Sequence, residues 1–485
     1  MTGAGRRAVV IGGGISGLVA ARRLAAAGHH VTLLEADDRL GGQIHTVEVC
    51  GGAGGTTYDV DLGAEAMHTM APRALALIDE LGLRDSMVTA RTGESYLWTP
   101  RGRRRLPAGV GPAGPTRLRP VLASGVMSLP GLLRAGLEPA AARVRRPVPL
   151  GPGHDIAVGD FVAGRFGRQV VDRFVDPLLG GLHSGDVRRL SLRATTPTLV
   201  AAAAQGRSLM PLRLRDVPAR ARGRVRRAAV RPTMDFLSWP GGLATFLTAL
   251  LADLPPGALD VRTGTAATGL AAAPGGGYRV RTAAGDITGD VVVLAVPAWA
   301  AAPLLRPHAP RAADTLAATR TASTVSVLLG FPRAAVAGIP ALAGNGLLVP
   351  STTGTLLKAV TNLTAKWPHY RDGDLFLMRL SAGRDGQDTV AGMSDEALVD
   401  HLRRDLRRFT GLDVAPALVR VRRWPQGLPQ LTVGHVDRTA YVRRELQQAL
   451  PGVALAGAAY DGIGLGACIA SAEDAVRQIT KEMTA

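Results

Sequence analysis

Cysteine is almost absent from this chain of 485 residues. The two cysteines, Cys50 and Cys468, can form at most one bridge and show no metal-ligand spacing. A disulfide framework and a cysteine-based metal site are therefore excluded, and we expect no metal. Such cysteine usage is typical of a reducing compartment, with the cytoplasm as the default. The chain is too long for one ordinary hydrophobic core, so we expect two or three structural units.

Lysine is also scarce, since it occurs only at Lys358, Lys366 and Lys481. The formal net charge of +18 therefore comes mostly from arginine. An excess of arginine, alanine and glycine is what a GC-rich genome produces, and composition is our preferred explanation of this charge. Aromatic residues make up 4% of the chain and do not alternate with basic residues, so we expect no nucleic-acid partner.

Long apolar runs are missing as well. No stretch reaches the ~20 uninterrupted apolar residues that a membrane span needs. Residues 121–137 come nearest, but Pro130, Arg134 and several glycines interrupt them. The N-terminal residues run straight into a predicted strand and leave no room for the apolar region of a signal peptide. We expect a cytoplasmic protein, with peripheral contact at the inner membrane face through 121–137 and the arginines of 213–231 as the alternative.

Glycine, in contrast, is abundant and patterned near the N-terminus. The stretch VVIGGGISGLVAARRL passes from an apolar run through Gly12, Gly14 and Gly17 into an alanine-rich helix. The spacing G-x-G-x-x-G predicts a tight turn at the first glycine, close approach of a pyrophosphate at the second and close helix packing at the third. The helix from Ile15 to about Ala27 would direct its N-terminal amides at the pyrophosphate.

A second apolar strand, HVTLLEA, ends at Glu35. A carboxylate at this position is placed to accept hydrogen bonds from the adenosine ribose of a dinucleotide. The order of strand, glycine turn, helix and second strand therefore predicts a dinucleotide-binding unit of the Rossmann type.

The residues EADDRLGGQIHT, which follow this strand, decide between NAD and FAD. Their pattern Glu-x-x-x-Arg-x-Gly-Gly resembles the extended FAD fingerprint of the monoamine oxidase and protoporphyrinogen oxidase superfamily. The resemblance implies FAD and adds Arg39, Gly41 and Gly42 to the diphosphate site. Monoamine oxidases usually attach the flavin to a cysteine in a Ser-Gly-Gly-Cys context, which is absent here, so the FAD is expected to be non-covalent.

The resemblance also assigns three further segments to the FAD. Residues 59–68 would lie against the flavin ring, the backbone of Ala267 would touch the adenine, and helix amides at residues 463–465 would meet the negative charge of a reduced flavin. The complete predicted set of cofactor-binding residues is Gly12, Gly13, Gly14, Ile15, Ser16, Gly17, Glu35, Ala36, Arg39, Gly41, Gly42, Gln43, Gly63, Ala64, Glu65, Ala66, Ala267, Trp424, Gly457, Gly462, Ile463, Gly464 and Leu465.

Strand and helix patterns of the nucleotide-binding type return after residue 235, which predicts a discontinuous domain. The fold class is expected to be α/β and α+β. We predict a Rossmann-like FAD-binding domain from 1–95, 232–300 and 431–485, a mostly helical insertion at 100–231 and an α+β substrate domain at 301–430.

Residues 158–194 strongly resemble the protoporphyrinogen and coproporphyrinogen oxidases. The family pattern appears in order at 165–167, at 176–181, at His183 and at 184–186. The stretch AKWPHY at 365–370 is similar to the Lys-Trp-Pro-His segment of Gram-positive enzymes that act on coproporphyrinogen III. The resemblance extends over nearly the full chain.

The implied activity is the six-electron oxidation of coproporphyrinogen III to coproporphyrin III in heme biosynthesis, in which O₂ reoxidises FAD and yields H₂O₂. The cofactor carries the difficult chemistry. A ferrochelatase is a candidate partner that would take over the product. Protoporphyrinogen IX oxidase is the main alternative, followed by an amine oxidase or carotenoid desaturase on the same fold, or by a non-catalytic porphyrin-binding flavoprotein.

No side chain need act as a base in this chemistry. The resemblance places a backbone carbonyl of Gly180 or Gly181 against the substrate, and His183 is a second candidate, although a lone histidine is more often structural. Four propionates need more cationic partners than two, and Arg101 and Lys366 are the predicted substrate contacts. The substrate-pairing arginine of plant and animal enzymes would fall near Ser95, which is no cation.

Overall fold

A computed structural model describes residues 6–51, 55–91, 93–111, 114–144, 147–210, 235–252 and 254–484. The arginines of 213–231, predicted as part of a membrane contact, lie outside these residues.

The strands are numbered along the chain. They are β1 (Arg7–Ile11), β2 (His30–Leu34), β3 (Thr46–Cys50), β4 (Thr57–Asp61), β5 (Met67–His68), β6 (Val88–Thr89), β7 (Ser95–Thr99), β8 (Gly102–Arg105), β9 (Val110–Gly111), β10 (Gly114–Pro115), β11 (Phe236–Ser238), β12 (Leu259–Arg262), β13 (Ala267–Ala272), β14 (Tyr278–Thr282), β15 (Gly285–Gly289), β16 (Val291–Leu294), β17 (Thr321–Pro332), β18 (Gly346–Leu348), β19 (Leu357–Asn362), β20 (Leu375–Ala382), β21 (Leu418–Pro429) and β22 (Val453–Leu455).

The helices are numbered in the same way. They are α1 (Ile15–Ala26), α2 (Pro72–Glu80), α3 (Leu118–Ala123), α4 (Leu129–Gly136), α5 (Glu138–Ala141), α6 (Val158–Phe166), α7 (Arg168–Val170), α8 (Gly181–His183), α9 (Leu192–Thr195), α10 (Pro197–Ala204), α11 (Ala244–Leu251), α12 (Ala298–Leu305), α13 (Pro310–Ala317), α14 (Arg333–Val336), α15 (Leu363–Lys366), α16 (Asp395–Thr410), α17 (His435–Ala449), α18 (Ala458–Asp461) and α19 (Leu465–Thr484). A π-helix, Val171–Gly180, connects α7 to α8.

A five-stranded parallel sheet of order β12-β2-β1-β16-β22 forms the first structural unit. Its central strand β1 is buried from Ala8 to Ile11 because it pairs with β2 on one side and β16 on the other. Helices α1 and α19 cover one face, while α12, α13 and α17 pack on the other. The unit is assembled from N-terminal, middle and C-terminal segments, and the α/β class is confirmed.

A seven-stranded sheet of order β21-β17-β20-β19-β18-β7-β8 forms the second unit. Helix α16 lies over one face, where its apolar side chains pack against alternate residues of the strands. Ser394 caps this helix by accepting a hydrogen bond from the backbone N–H of Ala397 at 3.3 Å.

The hairpin of β7 and β8 belongs to the seven-stranded sheet, which the predicted domain boundaries do not indicate. The predicted boundaries place residue 95 in the FAD-binding domain and residues 100–105 in the helical insertion, whereas β7 pairs in parallel with β18 and so extends the seven-stranded sheet. This pairing joins distant parts of the chain, and a local pattern does not reveal it.

Helices α3, α4, α6, α7, α9 and α10, together with the π-helix, pack around a third cluster of buried apolar side chains. Residues 121–137 contribute the end of α3 and all of α4, and Leu129 and Leu133 are 77% and 73% exposed. Within the described residues, no helix is long and apolar enough to span a bilayer.

Candidate cofactor and substrate site

Two glycine turns lie side by side at the carboxyl edge of the parallel sheet. At Gly12 φ is +106°, and a Cβ atom there would lie 2.5 Å from the carbonyl oxygen of Ala295. A Cβ at Gly17 would collide with the carbonyl oxygen of Gly12. Gly14 is different, because its φ is −72° and only the Cα of Gly42 lies near a Cβ position, at 3.9 Å. The first and third glycines of the motif therefore serve packing, and the second keeps a gap open.

The second turn contains Gly41 and Gly42. Gly41 donates to the carbonyl oxygen of Gly13 at 2.8 Å, which ties the two turns together. The Arg39 guanidinium donates to the carbonyl oxygens of Ile44 at 3.0 Å and Gly42 at 2.6 Å. Its Nε is buried without a hydrogen-bond partner. A buried cationic donor next to the gap at Gly14 fits an anionic group such as a diphosphate.

Glu35 follows β2 at the same edge. Its carboxylate accepts hydrogen bonds from the backbone N–H of Gly13 at 2.6 Å and of Asp37 at 2.8 Å. Glu35 thus holds the first glycine turn in place, and each oxygen retains a lone pair for a ribose hydroxyl. Ala36 is exposed beside it. The carbonyl oxygen of Glu35 accepts from Thr265 N–H at 2.7 Å, which brings the start of β13, where Ala267 lies, next to this edge.

The N-termini of two helices meet near the glycine turns. Ser16, in the first turn of α1, donates through Oγ to the carbonyl oxygen of Cys468 in α19 at 3.0 Å. Gly457 donates to Ser471 Oγ at 2.9 Å, so the turn after β22 is attached to the same helix. Residues 462–464 lead directly into α19, which begins at Leu465. Both helix dipoles direct their positive ends to this side of the sheet, where an anionic group would be stabilised.

The predicted flavin-facing segment is fixed by contacts with the second sheet. A Cβ at Gly63 would collide with the carbonyl oxygen of Gln43 and would lie 2.9 Å from Cζ2 of Trp424. Ala64 N–H donates to the same carbonyl oxygen at 3.0 Å. The Gln43 amide in turn donates to the carbonyl oxygen of Gly427 in β21. The structure thus brings Gln43, Gly63, Ala64 and Trp424 together.

Glu65 forms a buried ion-pair cluster instead of facing open space. Its carboxylate pairs with the Lys366 ammonium and with the Arg379 guanidinium. Although burial opposes ionisation, the charges of Arg379 and Lys366 lower the pKa of Glu65 to about 2. Ala66 follows in the same segment, packed against the core below Trp367.

Lys366, predicted as a substrate contact, takes part in this ion-pair cluster. The Lys366 ammonium is bound to Glu65, and the side chain is only 17% exposed. It also lies 5.1 Å from the ring centroid of Trp367. A propionate would have to compete with a buried carboxylate for this cation.

Arg101 is exposed in the turn between β7 and β8, at the sheet edge opposite Trp424. Six strand spacings of about 4.8 Å separate the two edges. The structure therefore does not bring Arg101 together with the cofactor segment. Of its neighbours, Arg103 donates to the carbonyl oxygens of Pro340 and Ala343 at 3.1 Å each, and Arg105 pairs with Glu94 at 2.8 Å.

The candidate substrate segment begins at the end of the π-helix, a widened turn that is frequent at functional sites. Gly180 is buried, and its carbonyl oxygen accepts from Gly185 N–H at 3.0 Å. No atom lies within 4 Å of a Cβ position at Gly181, so this residue borders open space. His183 is 4% exposed, and burial lowers its pKa to about 4. Its imidazole is therefore neutral at neutral pH and weakly basic.

Three cations near the flavin-facing and substrate segments are not predicted from the sequence. They are Arg379, Lys358 and Arg384. Arg379 donates to the carbonyl oxygens of Asp61 and Gly63, at 2.9 Å each, and so supports the flavin-facing segment. Lys358 and Arg384 are 5% and 7% exposed. One signal was available, because Lys358 is one of three lysines and stands within the strand sequence LLKAVTN.

A comparison with known protein families places these features in context. The model of the family described as flavin containing amine oxidoreductase matches residues 15–480. The match begins after β1 and Gly14, and it covers the second glycine turn, all later strands and α19 as far as residue 480; it implies a flavin cofactor.

Several curated proteins are similar over almost their whole length. The coproporphyrinogen III oxidase of Propionibacterium freudenreichii subsp. freudenreichii is 32% identical, with 97% of this chain and 90% of that protein covered. The protein of the same name from Mycobacterium leprae (strain TN) is 34% identical, with 98% of each covered. The chloroplastic protoporphyrinogen oxidase of Nicotiana tabacum is 27% identical, with 97% of this chain and 85% of that protein covered.

Solved structures show the same architecture. A crystal structure from Exiguobacterium sp. 255-15, provisionally assigned as a protoporphyrinogen oxidase, has a TM-score of 0.84 at 29% identity, with 99% of both chains covered. The cyclohexylamine oxidase of Brevibacterium oxydans IH-35A has a TM-score of 0.67 at 16% identity, covering 99% of this chain and all of that one, and shows the fold alone.

Proposed function

Because the chain belongs to the flavin-containing amine oxidoreductase family, we propose that it is an FAD-dependent oxidase that converts coproporphyrinogen III to coproporphyrin III. The observation that carries the proposal is the similarity over almost the entire chain to several coproporphyrinogen III oxidases, at 32% and 34% identity in the two described above. The plant protoporphyrinogen oxidase is less similar than these two, at 27%. Coproporphyrinogen III is therefore preferred to protoporphyrinogen IX as the substrate.

FAD supplies two-electron oxidation when bound, so three rounds remove six electrons and six protons from the porphyrinogen, and three O₂ molecules become three H₂O₂. The residues of the chain contribute binding and orientation. Gly14, Arg39 and Gly42 would hold the diphosphate, and Glu35 would hold the ribose. Gln43, Gly63 and Trp424 would fix the segment against which the flavin ring lies.

The binding of FAD is proposed to be non-covalent. Cys468 lies near the C-terminal turn, with its thiol bonded to the carbonyl oxygen of Gly462 at 3.6 Å. Burial raises the pKa of this thiol to about 12, so that it stays protonated and is a poor nucleophile. The other cysteine, Cys50, is exposed in β3. Acid precipitation of the holoenzyme should release all of its flavin into the supernatant, and yellow precipitated protein would contradict this proposal.

No described side chain is required as a base. His183 is neutral and weakly basic, and the carbonyl oxygen of Gly180 is already bonded to Gly185. Gly181 has no side chain and borders open space, so a porphyrinogen ring can approach its backbone. The proposed proton acceptor is therefore the carbonyl oxygen of Gly181, whose hydrogen bond from Ser184 N–H is long, at 3.4 Å.

The proposed place of action is the cytoplasm, with contact at the inner membrane surface as the alternative. Leu129 and Leu133 are separated by one helical turn on α4 and point to the same side. Cosedimentation with anionic vesicles that disappears when both leucines are replaced by serine would favour the alternative. A protein that stays in the supernatant at low ionic strength would exclude it.

The proposed reaction can be tested on the flavin itself. Anaerobic addition of coproporphyrinogen III should bleach the visible band of the bound flavin, and air should restore the band while porphyrin fluorescence appears. Tight porphyrin binding without bleaching would instead indicate a non-catalytic binding protein. Bleaching by amines but not by porphyrinogens would indicate an amine oxidase.

A further inference from the structure

Lys358 occupies an irregular position in the seven-stranded sheet. Leu357 pairs with Ala382 and Ala359 pairs with Ser381, so the register shifts between them and Lys358 has no partner on β20. Such bulges often redirect a side chain next to a functional site. Leu357 packs into the core below α16. The Lys358 ammonium instead donates to the hydroxyl of Ser184, just after α8.

This buried ammonium lacks a counter-ion among the described residues. Lys358 is 5% exposed, its one hydrogen-bond partner is a neutral hydroxyl, and it forms no ion pair within 4.0 Å of a described carboxylate. Burial, and then the charges of Arg384 and Arg379, lower the pKa of Lys358 to about 7. Burying a cation without a compensating anion is costly, so the site favours a negatively charged guest.

A second cation adjoins the first. Arg384 is 7% exposed and donates one hydrogen bond, from Nη2 to the carbonyl oxygen of Val349 at 2.9 Å. Its Nε and Nη1 are buried without partners. Asp176 is close enough to affect the pKa of Arg384, but its carboxylate accepts from Ser351 N–H at 2.7 Å and from Ser351 Oγ at 2.8 Å. Two donors of Arg384 are therefore available to an anion.

The two cations lie between the proposed flavin and substrate segments. On β20, Arg379 contacts Gly63 and Glu65 of the flavin-facing segment, and Ser381 stands two residues further along the same sheet face, about 7 Å away. Ser381 pairs with Ala359, the residue after Lys358 in the bulge. On the other side, Ser184 follows Gly181 closely in the chain. A molecule placed between Gly63 and Gly181 would have Lys358 within reach.

We propose that Lys358, Arg384 and Ser184 form a buried site that receives one carboxylate side arm of the porphyrinogen. The inference rests on the proposed function and names a substrate contact that replaces Lys366 in that role. A carboxylate supplies the missing negative charge and accepts hydrogen bonds from the unpartnered nitrogens of Arg384. The ammonium of Lys358 would then donate both to Ser184 and to this carboxylate. The site orients the macrocycle, so Lys358 is a specificity residue.

The test compares a porphyrin acid with its ester in the flavin-loaded protein. The probes are coproporphyrin III, which has four free carboxylates, and its tetramethyl ester, which has none, and binding is followed by fluorescence. Lys358→Met should weaken binding of the acid about tenfold or more and leave binding of the ester unchanged. Lys358→Arg should restore much of the affinity. The control is Lys481→Met, at an exposed lysine near the C-terminal end of α19.

Equal losses for acid and ester would assign Lys358 a structural role and overturn the proposal, as would an unchanged affinity for the acid. A third result would also overturn it. If acetate raised the thermal stability of the wild type but not of Lys358→Met, while the two proteins bound the acid and the ester with equal affinities, the site would serve a free anion. If Lys358→Met does not fold, Ser184→Ala is the second variant, because it keeps the cation of Lys358. It should weaken binding of the acid and leave binding of the ester unchanged. Wild-type turnover of coproporphyrinogen III is measured alongside, so that failure of the reaction is separable from failure of this site.

Discussion

Replacement of Glu65 by glutamine tests the ion-pair cluster under the proposed flavin segment. The variant keeps the size of the side chain but leaves Lys366 and Arg379 without their shared carboxylate. The charges of Arg379 and Lys366 lower the pKa of Glu65 to about 2, which corresponds to roughly 3 kcal/mol of stabilisation at neutral pH. Breaking a buried pair by removing one partner costs a similar ~3–5 kcal/mol. We expect Glu65→Gln to lower the free energy of unfolding by about this amount.

The assay is denaturant unfolding of the flavin-loaded protein, followed by circular dichroism. Because the folded-state pKa of Glu65 lies below its ordinary value, the contribution is fully present above pH 4.5 and is lost as the pH falls towards 2. The difference between the wild type and Glu65→Gln should shrink in that window. Glu48→Gln, at an exposed position of β3, is the control and should change the free energy of unfolding by less than about 0.5 kcal/mol.

A Glu65→Gln variant as stable as the wild type would refute this reasoning, and so would a difference that does not change between pH 4.5 and 2. The same cluster predicts that Lys366→Met loses turnover equally on coproporphyrinogen III and protoporphyrinogen IX, because the lysine holds Glu65 and not a propionate. A selective loss on coproporphyrinogen III would restore Lys366 as a substrate contact.

Three further predictions concern single side chains. Gly14→Val should fold but purify without colour, because its side chain fills the gap beside Gly42. The control Gly392→Val, in an open turn, should stay yellow. A yellow Gly14→Val protein would contradict the assignment of Gly14. Glu35→Ala should weaken FAD binding by about 10- to 100-fold, measured by flavin fluorescence, whereas Asp38→Ala should not, and equal dissociation constants would count against Glu35. His183→Asn should leave the shape of the pH–rate profile unchanged between pH 6 and 8, because the wild-type imidazole is already neutral there. Loss of an ionisation in that range would instead identify His183 as the base.

The two glycine turns proposed to bind the cofactor could be predicted from the sequence because their constraints are local. Gly12 and Gly17 stand close together in the chain, and their spacing alone implies a tight turn followed by a closely packed helix. Glu35 follows the next strand, and the parallel pairing of β1 and β2 brings it to Gly13. A short window of residues therefore contains most of the information about this part of the site.

The substrate side could not be predicted in the same way because its contacts join distant residues. Lys366 and Glu65 are 301 positions apart, and no local pattern indicates that one neutralises the other. Lys358 depends on a register shift between two strands and on Ser184 from a different structural unit. Arg101 is predicted because it closely follows Ser95, where the resemblance would place a substrate-pairing arginine, whereas its distance from Trp424 follows from the order of seven strands.

The central claim is the identity of the substrate, and the most direct measurement is kcat/KM for coproporphyrinogen III and protoporphyrinogen IX on the same flavin-loaded preparation with O₂ as the acceptor. We expect a higher value for coproporphyrinogen III, because its four carboxylates can engage more cationic side chains than the two of protoporphyrinogen IX, and Lys358 with Arg384 would receive one of them. A higher value for protoporphyrinogen IX, or no turnover of either compound, would contradict it.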